Sequence, residues 1–248
     1  MGKKGGSKHI KRLPAPAFWP VHVKESKWVV KPRAGPHPMA RSIPLAIVLS
    51  KILNYAKTTK EAKTTIAKGA VKVDGKINRD YKYPVGLMDL IEIPDAKSTF
   101  RMVPFPGKGL SLLKVAKDET GYKLSLLSNK ISLHGGKIQL NFSDGRNITT
   151  TKEATSAGET YAPGDTVQIG IPEQKILGHI KFAEGKYALV VAGKNIGRHG
   201  KIVGVEKSKA SRFPTVTVQD AQGQTFRTIA DYVFAIGNDE PIIKLPGE

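Results

Sequence analysis

The stretch spanning residues 43–93 constrains the fold most, because the spacing of its apolar residues changes halfway along. Its first part repeats apolar residues every three or four positions, as one buried helix face does, at Leu45, Val48, Leu49, Ile52, Leu53 and Ala56. Pro44 is typical of a first helical position, so a first helix is expected to begin there. The period then falls to two at Val71 and Val73, and Asp74-Gly75 follows as a two-residue hairpin turn. The pattern predicts two short helices that lead into a β-hairpin.

The second predicted helix has start and stop signals of its own. Thr58 and Glu61 have the spacing of a capping box, in which their side chains satisfy backbone N–H groups of the first turn. Ala62 and Ile66 face inward, and Gly69 is the left-handed residue that would end the helix.

Lysines surround the start of this second helix, where the positive end of the helix dipole disfavours cations by about 0.3–1 kcal/mol each. Free N–H groups at a helix start also bind phosphate, so a phosphate backbone is the economical ligand for these side chains. The candidate RNA-binding residues of this stretch are Lys51, Lys57, Thr59, Lys60, Lys63, Lys72, Lys76, Arg79 and Lys82. The alternative is that these lysines only keep a small domain soluble.

Three short motifs carry a family resemblance. They are Thr58-x-x-Glu61-Ala62, then Gly69-x-Val71-x-Val73-Asp74-Gly75-Lys76, and finally Tyr83-Pro84-Val85-Gly86-x-Met88-Asp89. Together they resemble the S-four RNA-binding domain, which occurs in ribosomal proteins and in some RNA-modifying enzymes. The last motif is similar, more narrowly, to the S-four-e family of archaeal and eukaryotic small-subunit ribosomal proteins.

Composition points to a polyanionic partner. The chain has 40 Lys and Arg against 21 Asp and Glu, which gives a net charge of +19 and a pI near 10.0. Such a charge favours nucleic acid first and an acidic membrane surface second. No apolar run approaches the roughly 20 residues of a membrane-spanning helix, and the first residues have no hydrophobic signal core, which argues against secretion. The absence of cysteine excludes disulfides, thiol nucleophiles and cysteine zinc sites.

The first 42 residues hold nearly half of the excess charge, with ten Lys or Arg and only one acidic residue, Glu25. Gly and Lys dominate the first dozen positions and prolines interrupt the rest, so an extended basic arm is expected. Its candidate RNA-binding residues are Lys3, Lys4, Lys8, His9, Lys11, Arg12, Trp19, Arg33 and Arg41. Trp19 and Trp28 could stack on bases or could instead anchor the arm on its own protein, and Trp19 is the one taken as a contact.

Residues 94–182 read as short strands separated by turns, which predicts a central β-domain. Gly135-Gly136 and Asp144-Gly145 are the expected hairpin turns. The segment has few residues typical of catalysis or metal binding. Asp118-Glu119 is expected to be a solvated turn, and neither His134 nor His179 has a His, Cys or carboxylate at the spacing of metal ligands. We therefore predict no catalytic residue, no metal site and no cofactor.

A glycine-punctuated loop lies between two apolar strands near the end of the chain. Its glycines, at positions 193, 197 and 200, permit close approach of a phosphate backbone. The candidate RNA-binding residues in and after this loop are Lys194, Asn195, Arg198, His199, Lys201, Lys207, Lys209 and Arg212. The pattern is similar to the KOW motif, which implies a five-stranded SH3-like barrel. The alternative is a plain hairpin loop with exposed cations.

The predicted fold is an α+β multidomain chain in five parts. They are a basic extended N-terminal arm (1–42), a small S-four-like α/β module (43–93), a central β-domain (94–182), a C-terminal SH3-like KOW β-barrel (183–238) and a tail (239–248). This order resembles the S-four-e layout over essentially the whole chain, and the short length favours an archaeal source.

The resemblance implies a structural, non-enzymatic constituent of the small ribosomal subunit. Such a protein would be ribosome-bound in the cytoplasm and would contact small-subunit ribosomal RNA and neighbouring ribosomal proteins, with no membrane partner and no small-molecule substrate. Two other classes stay open here. They are an RNA-modifying enzyme with an S-four-like accessory domain and a KOW-type transcription elongation factor.

Overall fold

Residues 6–116, 119–151, 161–206 and 213–246 are described by the computed structural model of the protein, and β-sheet dominates them. These residues form three five-stranded sheets and two two-stranded sheets, and every strand pair is antiparallel. Helix is confined to a few short segments, so the fold is mostly β with little α.

The first predicted helix is shorter and wider than its sequence pattern indicates. Pro44 lies in strand β3 (Ser42–Pro44), helix α1 covers only Leu45–Ile47, and a π-helical turn continues from Val48 to Ile52. Every residue from 42 to 49 is buried, so the segment is packed on all sides rather than along one face. Tertiary packing explains the departure from a regular amphipathic helix.

The second helix and the hairpin form as predicted. Helix α2 spans Thr59–Ala67, and the N–H of Glu61 donates to the Thr58 hydroxyl at 3.2 Å. The Glu61 carboxylate accepts in return from the N–H of Lys57 at 2.9 Å. Gly69 has a φ of +84°, and the Asp74-Gly75 turn, at +49° and +75°, joins strands β4 (Lys72–Val73) and β5 (Lys76–Ile77).

The sheet that contains this hairpin extends beyond residue 93. Strand β6 (Pro84–Gly86) pairs with β3, and β7 (Leu90–Ile93) pairs with β4. Strands β8 (Ser98–Phe105) and β9 (Gly109–Lys114), which the sequence pattern assigns to the central β-domain, add to β7. The helix–helix–hairpin stretch therefore shares one five-stranded sheet with residues 98–114, in the order β5-β4-β7-β8-β9.

The second sheet has the order β12-β11-β10-β13-β14. Its strands are β10 (Tyr122–Ser132), β11 (Lys137–Phe142), β12 (Asn147–Thr151), β13 (Thr166–Gly170) and β14 (Ile176–Ile180). The hairpin turns lie where predicted. The sequence pattern predicts two short strands, at 122–127 and 131–133, and these form one long strand, β10.

The third sheet has the order β18-β17-β16-β15-β19. Its strands are β15 (Tyr187–Val190), β16 (His199–Glu206), β17 (Thr215–Gln219), β18 (Thr225–Ile229) and β19 (Val233–Gly237). The sequence pattern predicts these strands at 187–192, 201–205, 215–219, 225–229 and 232–236, and each observed strand lies within three residues of its predicted position.

Residues 6–42 are folded onto the first sheet instead of forming a merely extended arm. Strand β1 (Ile10–Lys11) pairs with β2 (Trp28–Val29), and Ile10, Trp19 and Val21 join the same hydrophobic cluster as Ile43. The Trp19 indole N–H donates to the carbonyl of Ser42 at 2.8 Å, and Trp19 is only 2% exposed. The expectation that Trp19 contacts RNA is therefore wrong, because the ring is an anchor in the protein core.

Two polar residues, one just before the second sheet and one within it, make interactions that the sequence pattern does not indicate. Glu119 accepts a hydrogen bond at 3.0 Å from the guanidinium of Arg101, which is 1% exposed, so Glu119 is not simply solvated. The imidazole Nε2 of His179 lies 2.9 Å from the Asp165 carboxylate, which pairs this interior histidine with a buried acid. Asp118 lies outside the described residues.

A buried ion cluster joins the first and second sheets. At its centre the ammonium of Lys123, on β10, contacts the carboxylates of Asp74 at 3.0 Å, Asp144 at 3.2 Å and Asp89. Arg146 pairs with Asp74 and Asp144 from the cluster's edge. Asp74 lies in the β4–β5 turn, Asp89 precedes β7 and Asp144 lies in the β11–β12 turn, so one ammonium ties three turns together.

His37 connects the N-terminal residues to this cluster. Its Nε2 lies 3.1 Å from Asp89, and its ring packs against Gly86, where a Cβ atom would fall 2.2 Å from the imidazole. The N–H of Gly86 also donates to the Asp89 carboxylate at 2.8 Å. The glycine of the Tyr83-Pro84-Val85-Gly86 motif is thus required by contact with a residue outside the motif.

The charges of the cluster are strongly coupled. Burial would raise the pKa of Asp89, but Lys123 and His37 overcome it and hold that pKa well below its ordinary value. The pKa of Asp144 is also lowered, because Lys123, Arg146 and its hydrogen bonds together outweigh its burial, whereas burial and the charge of Asp89 raise the pKa of Asp74. The stability that Asp89 contributes is therefore present above about pH 3.9 and is lost as the pH falls through its lowered folded pKa.

We expect Lys123→Met to destabilise the protein by about 3–5 kcal/mol at pH 7, because it removes the central cation that contacts all three buried carboxylates. Without Lys123 the three carboxylates lose a charge that favours their ionised forms, so their folded pKa values rise relative to the wild type. The stability difference between the variant and the wild type therefore narrows as the pH falls towards 4. Chemical denaturation at both pH values measures this. The exposed Lys137→Met serves as the control, and an equal effect of both substitutions would contradict the role of the cluster.

The two tryptophans are expected to differ in their effect on stability. Trp19→Ala removes a core side chain and its hydrogen bond, which costs about 3–5 kcal/mol. Trp28 is 49% exposed, so Trp28→Ala is expected to cost less than about 1 kcal/mol. Thermal unfolding of the two single variants compares them directly, and a similar loss for both would contradict this assignment.

Candidate nucleic-acid interface

A cleft of about 620 Å³ lies between the β1–β2 hairpin, the first helix and the start of α2. We call it the arm–helix cleft. Three rings line it, those of His9, Trp28 and Tyr81. Thr58 and Thr59 bring the N-terminus of α2 to its wall. Its lysines are Lys8, Lys31, Lys51, Lys57 and Lys82. Residues distant in sequence thus form one concave surface that is rich in cations and aromatic rings.

The single acidic residue that lines the cleft, Glu25, is already paired. The Lys51 ammonium hydrogen-bonds to the Glu25 carboxylate, and this bond lowers the pKa of Glu25. Lys31 donates to the carbonyl of Ser7, while Lys8 and Lys57 are exposed to solvent. The cleft therefore keeps an excess of positive charge after its internal ion pair is formed, which suits a polyanion.

The start of α2 already carries a negative charge, so it does not require an external anion. Glu61 lies in the first turn of α2 and its carboxylate accepts from the N–H of Lys57, so a negative charge is already present at the helix start. Lys60 and Lys63 are exposed on the helix, and the Lys63 ammonium lies 4.7 Å from the centre of the Tyr81 ring. The prediction that the dipole of α2 needs a bound phosphate is therefore wrong, because Glu61 already supplies a negative charge there.

Other predicted cations lie on different surfaces. Lys76 and Arg79 line a second cleft, of about 690 Å³, above the buried ion cluster, whose wall also contains the carboxylates of Asp74, Asp80 and Asp144. Arg33 pairs with Asp80 at 3.4 Å. The Lys72 side chain is half-buried on β4.

The remaining N-terminal cations have separate roles. Arg12 is half-buried, and its Nε donates to the carbonyl of Val21 at 2.6 Å, which closes the loop that carries Trp19. The Lys11 ammonium lies 5.7 Å from the centre of the Trp28 ring. Arg41 is exposed and faces the third sheet across another cleft. Lys3 and Lys4 lie outside the described residues, as do Lys207, Lys209 and Arg212.

Two glycines of the C-terminal loop serve contacts within the protein. A Cβ at Gly197 would fall 2.5 Å from the backbone nitrogen of Pro106, and one at Gly200 would fall 2.0 Å from the carbonyl oxygen of Gln219. The close approach that these glycines permit is therefore made by the chain's own backbone. This replaces the expectation that a phosphate backbone occupies that space.

Some polar residues of this loop are held in contacts within the protein, whereas others are exposed and free to contact a partner. The Arg198 guanidinium lies 4.1 Å from the centre of the Phe226 ring and pairs with Asp220 at 3.3 Å. His199 Nδ1 lies 2.8 Å from the Tyr187 hydroxyl, and the Asn195 amide donates to a carbonyl of β18 at 3.4 Å. The exposed Lys201 pairs with Asp239 at 3.4 Å, while Lys194 extends into solvent.

Trp28 is the functional candidate that sequence reasoning set aside. Its hydrophobic neighbours in the sequence, Val29 and Val30, favour a core position, but in the structure Val29 packs against the hydrophobic cluster while Trp28 faces outward. Strand alternation was the signal that could have found it, because adjacent side chains of a strand point to opposite faces.

Neither a metal site nor a membrane span is visible in the part of the chain that the structure describes. Its His, Asp and Glu residues form no group of three or more with metal-binding geometry. Its helices are all too short to cross a bilayer.

Comparison with known proteins places these features in a family. Family models match in chain order: the RS4NT domain over residues 4–40, the S4 domain over residues 43–91 and the Ribosomal family S4e over residues 96–176. The small ribosomal subunit protein eS4 of Staphylothermus marinus is 48% identical over 248 residues, which cover 99% of this chain and 98% of its relative. That of Methanococcus aeolicus is 46% identical and covers 99% and 100% respectively.

A solved structure agrees with the sequence relatives. The crystal structure of the 30S ribosomal protein S4e from Thermoplasma acidophilum is 32% identical, with a TM-score of 0.66 over 80% of this chain and 96% of that chain. The resemblance predicted from the motifs of residues 58–89 is thereby confirmed. The chain belongs to the S4e family of ribosomal proteins.

Proposed function

We propose that this chain binds small-subunit ribosomal RNA chiefly through the arm–helix cleft. The observation that carries the proposal is the gathering of five lysines and three rings around one cleft whose single acidic residue is paired with a lysine. As a member of its family the chain is a structural component of the ribosome and not an enzyme. The family gives no support to an RNA-modifying enzyme or an elongation factor.

The physics of the cleft favours contacts to the RNA backbone. Lysine ammonium groups on flexible stems act as point charges for phosphates, and their binding releases counterions from the nucleic acid. The threonine hydroxyls of the cleft offer further donors to the same phosphates. RNA bound in this way is recognised by shape and by its accessible bases rather than by a duplex sequence code.

We propose further that the chain is organised as a basic arm, an S-four-like module, a central β-domain, a KOW-type SH3-like barrel and a tail. The five antiparallel strands of the third sheet and its glycine-rich β15–β16 loop support the barrel. In this proposal Lys194 is the loop's main phosphate contact, and Lys207, Lys209 and Arg212, which lie outside the described residues, are further RNA contacts.

The other predicted contacts stay part of the proposal as a secondary, peripheral set. These are Lys11, Arg33, Arg41, Lys60, Lys63, Lys72, Lys76, Arg79 and Lys201. We also propose that the protein is cytoplasmic, bound to the ribosome, and in contact with neighbouring ribosomal proteins. Its relatives, which carry the name of a small-subunit protein, support this placement.

Replacing Lys8, Lys57 and Lys82 together with Gln tests the cleft. Removal of three phosphate contacts is expected to weaken binding to a small-subunit ribosomal RNA transcript and to lower the slope of log affinity against log salt by about 2. Binding is measured at several salt concentrations. The matched control replaces the exposed Lys114, Lys137 and Lys181 with Gln, which changes net charge equally.

The control separates a local site from a general charge effect. If both triple variants lose the same affinity and the same slope, the arm–helix cleft is not the binding surface. If the cleft variant alone is weakened while its thermal stability is unchanged, the proposal is supported.

A further inference from the structure

We propose that Trp28 is a stacking platform for one unpaired nucleobase at the arm–helix cleft, so that the protein selects a looped or single-stranded segment of RNA. The inference rests on the proposed function and makes it more specific. The ligand class is an unstacked nucleotide, with its base on the indole and its phosphates on the surrounding lysines.

The exposure of Trp28 is unusual for its residue type. Trp28 is 49% exposed, whereas Trp19, the other tryptophan, is 2% exposed and hydrogen-bonded in the core. Large aromatic side chains bury much apolar surface when they pack, so an exposed one at the wall of a cleft leaves that surface for a partner. Trp28 is not among the buried or half-buried residues of the hydrophobic cluster that includes Trp19, Ile10 and Val21.

The backbone holds the indole in place without covering it. Trp28 pairs with Lys11 across the β1–β2 register, and its neighbour Val29 packs inward. Residues that alternate along a strand face opposite sides, so the inward anchoring of Val29 keeps Trp28 directed outward. A platform preorganised in this way loses little conformational freedom when a base stacks on it.

The surroundings of the ring suit a nucleotide more than an apolar protein side chain. Two ammonium groups lie over the ring, Lys11 at 5.7 Å and Lys27 at 5.9 Å from its centre. The imidazole of His9 meets it edge-on, with ring centres 4.9 Å apart and planes at 85°. Lysine stems are flexible, so a stacking base can displace the ammonium groups from the ring towards its own flanking phosphates.

The same geometry requires an unpaired base. In a duplex the bases are stacked on each other and only the backbone and groove edges are accessible, whereas loops and single strands can extend a base onto an aromatic ring. The lysines of the cleft bind both forms through phosphates, but Trp28 adds affinity only for the unpaired one. A preference for unpaired over duplex RNA therefore distinguishes base stacking on Trp28 from phosphate binding by the lysines.

The experiment compares Trp28→Ala and Trp28→Phe with the wild-type full chain on three probes. The probes are an end-labelled single-stranded oligoadenylate, a fully paired RNA duplex of equal length, and heparin, which carries charge but no bases. We expect Trp28→Ala to weaken oligoadenylate binding about 5- to 100-fold while the duplex and heparin are unaffected. Trp28→Phe, which keeps a ring, is expected to retain most of the affinity.

Intrinsic fluorescence gives a second readout, since the chain has two tryptophans. Oligoadenylate is expected to quench the emission of Trp28, and Trp28→Phe is expected to abolish the quenching because Trp19 is buried away from the ligand. Unaltered thermal stability of the Trp28 variants excludes misfolding as the cause of lost binding.

The possible results distinguish a failure of base stacking on Trp28 from a failure of RNA binding by the cleft. If Trp28→Ala binds oligoadenylate as the wild type does, while the triple lysine variant of the cleft is weakened, stacking is refuted and the RNA-binding cleft stands. An equal loss on all three probes also refutes stacking. If the wild-type chain binds none of the RNA probes at moderate salt, the proposed function fails together with this inference.

Discussion

The interaction on which the rest of the structure depends is the buried pairing of Lys123 with three carboxylates. Two of these, Asp74 and Asp89, come from turns of the first sheet, and Asp144 comes from a turn of the second sheet. Unpaired charges in such a place would cost several kcal/mol, so the two sheets are held in the one arrangement that satisfies them all. Because His37 contacts Asp89, the N-terminal residues share this constraint.

The same contacts matter for function because they fix the two walls of the arm–helix cleft relative to each other. One wall of the cleft is the β1–β2 hairpin and the other is the helical part of the first sheet's domain. The Trp19 anchor and the His37 contact attach the N-terminal residues to that domain at two points. The protein is thus held together by neutralised charge inside, while its surplus lysines stay outside where a polyanion can reach them.

Signals that act over a few residues were predictable from the sequence. The Thr58–Glu61 cap, the left-handed Gly69 and the Asp74-Gly75 turn depend only on neighbouring backbone, and each forms as expected. The π-helical turn after α1 and the burial of Trp19 were not predictable, because both result from packing against residues far away in sequence. The same holds for Gly86 and Gly197, whose lack of a side chain is required by distant partners.

For the candidate site, the sequence by itself determined the chemical class of partner: a net charge of +19 and the motifs of residues 58–89 indicate RNA. Which cations share a surface was decided only by the tertiary structure, which brings Lys8, Lys57 and Lys82 to one cleft and leaves Arg12 and Arg198 in internal contacts. The physical reason is that charge and local turns are properties of neighbouring residues. Burial and ion pairing, in contrast, depend on which distant segments the fold brings together.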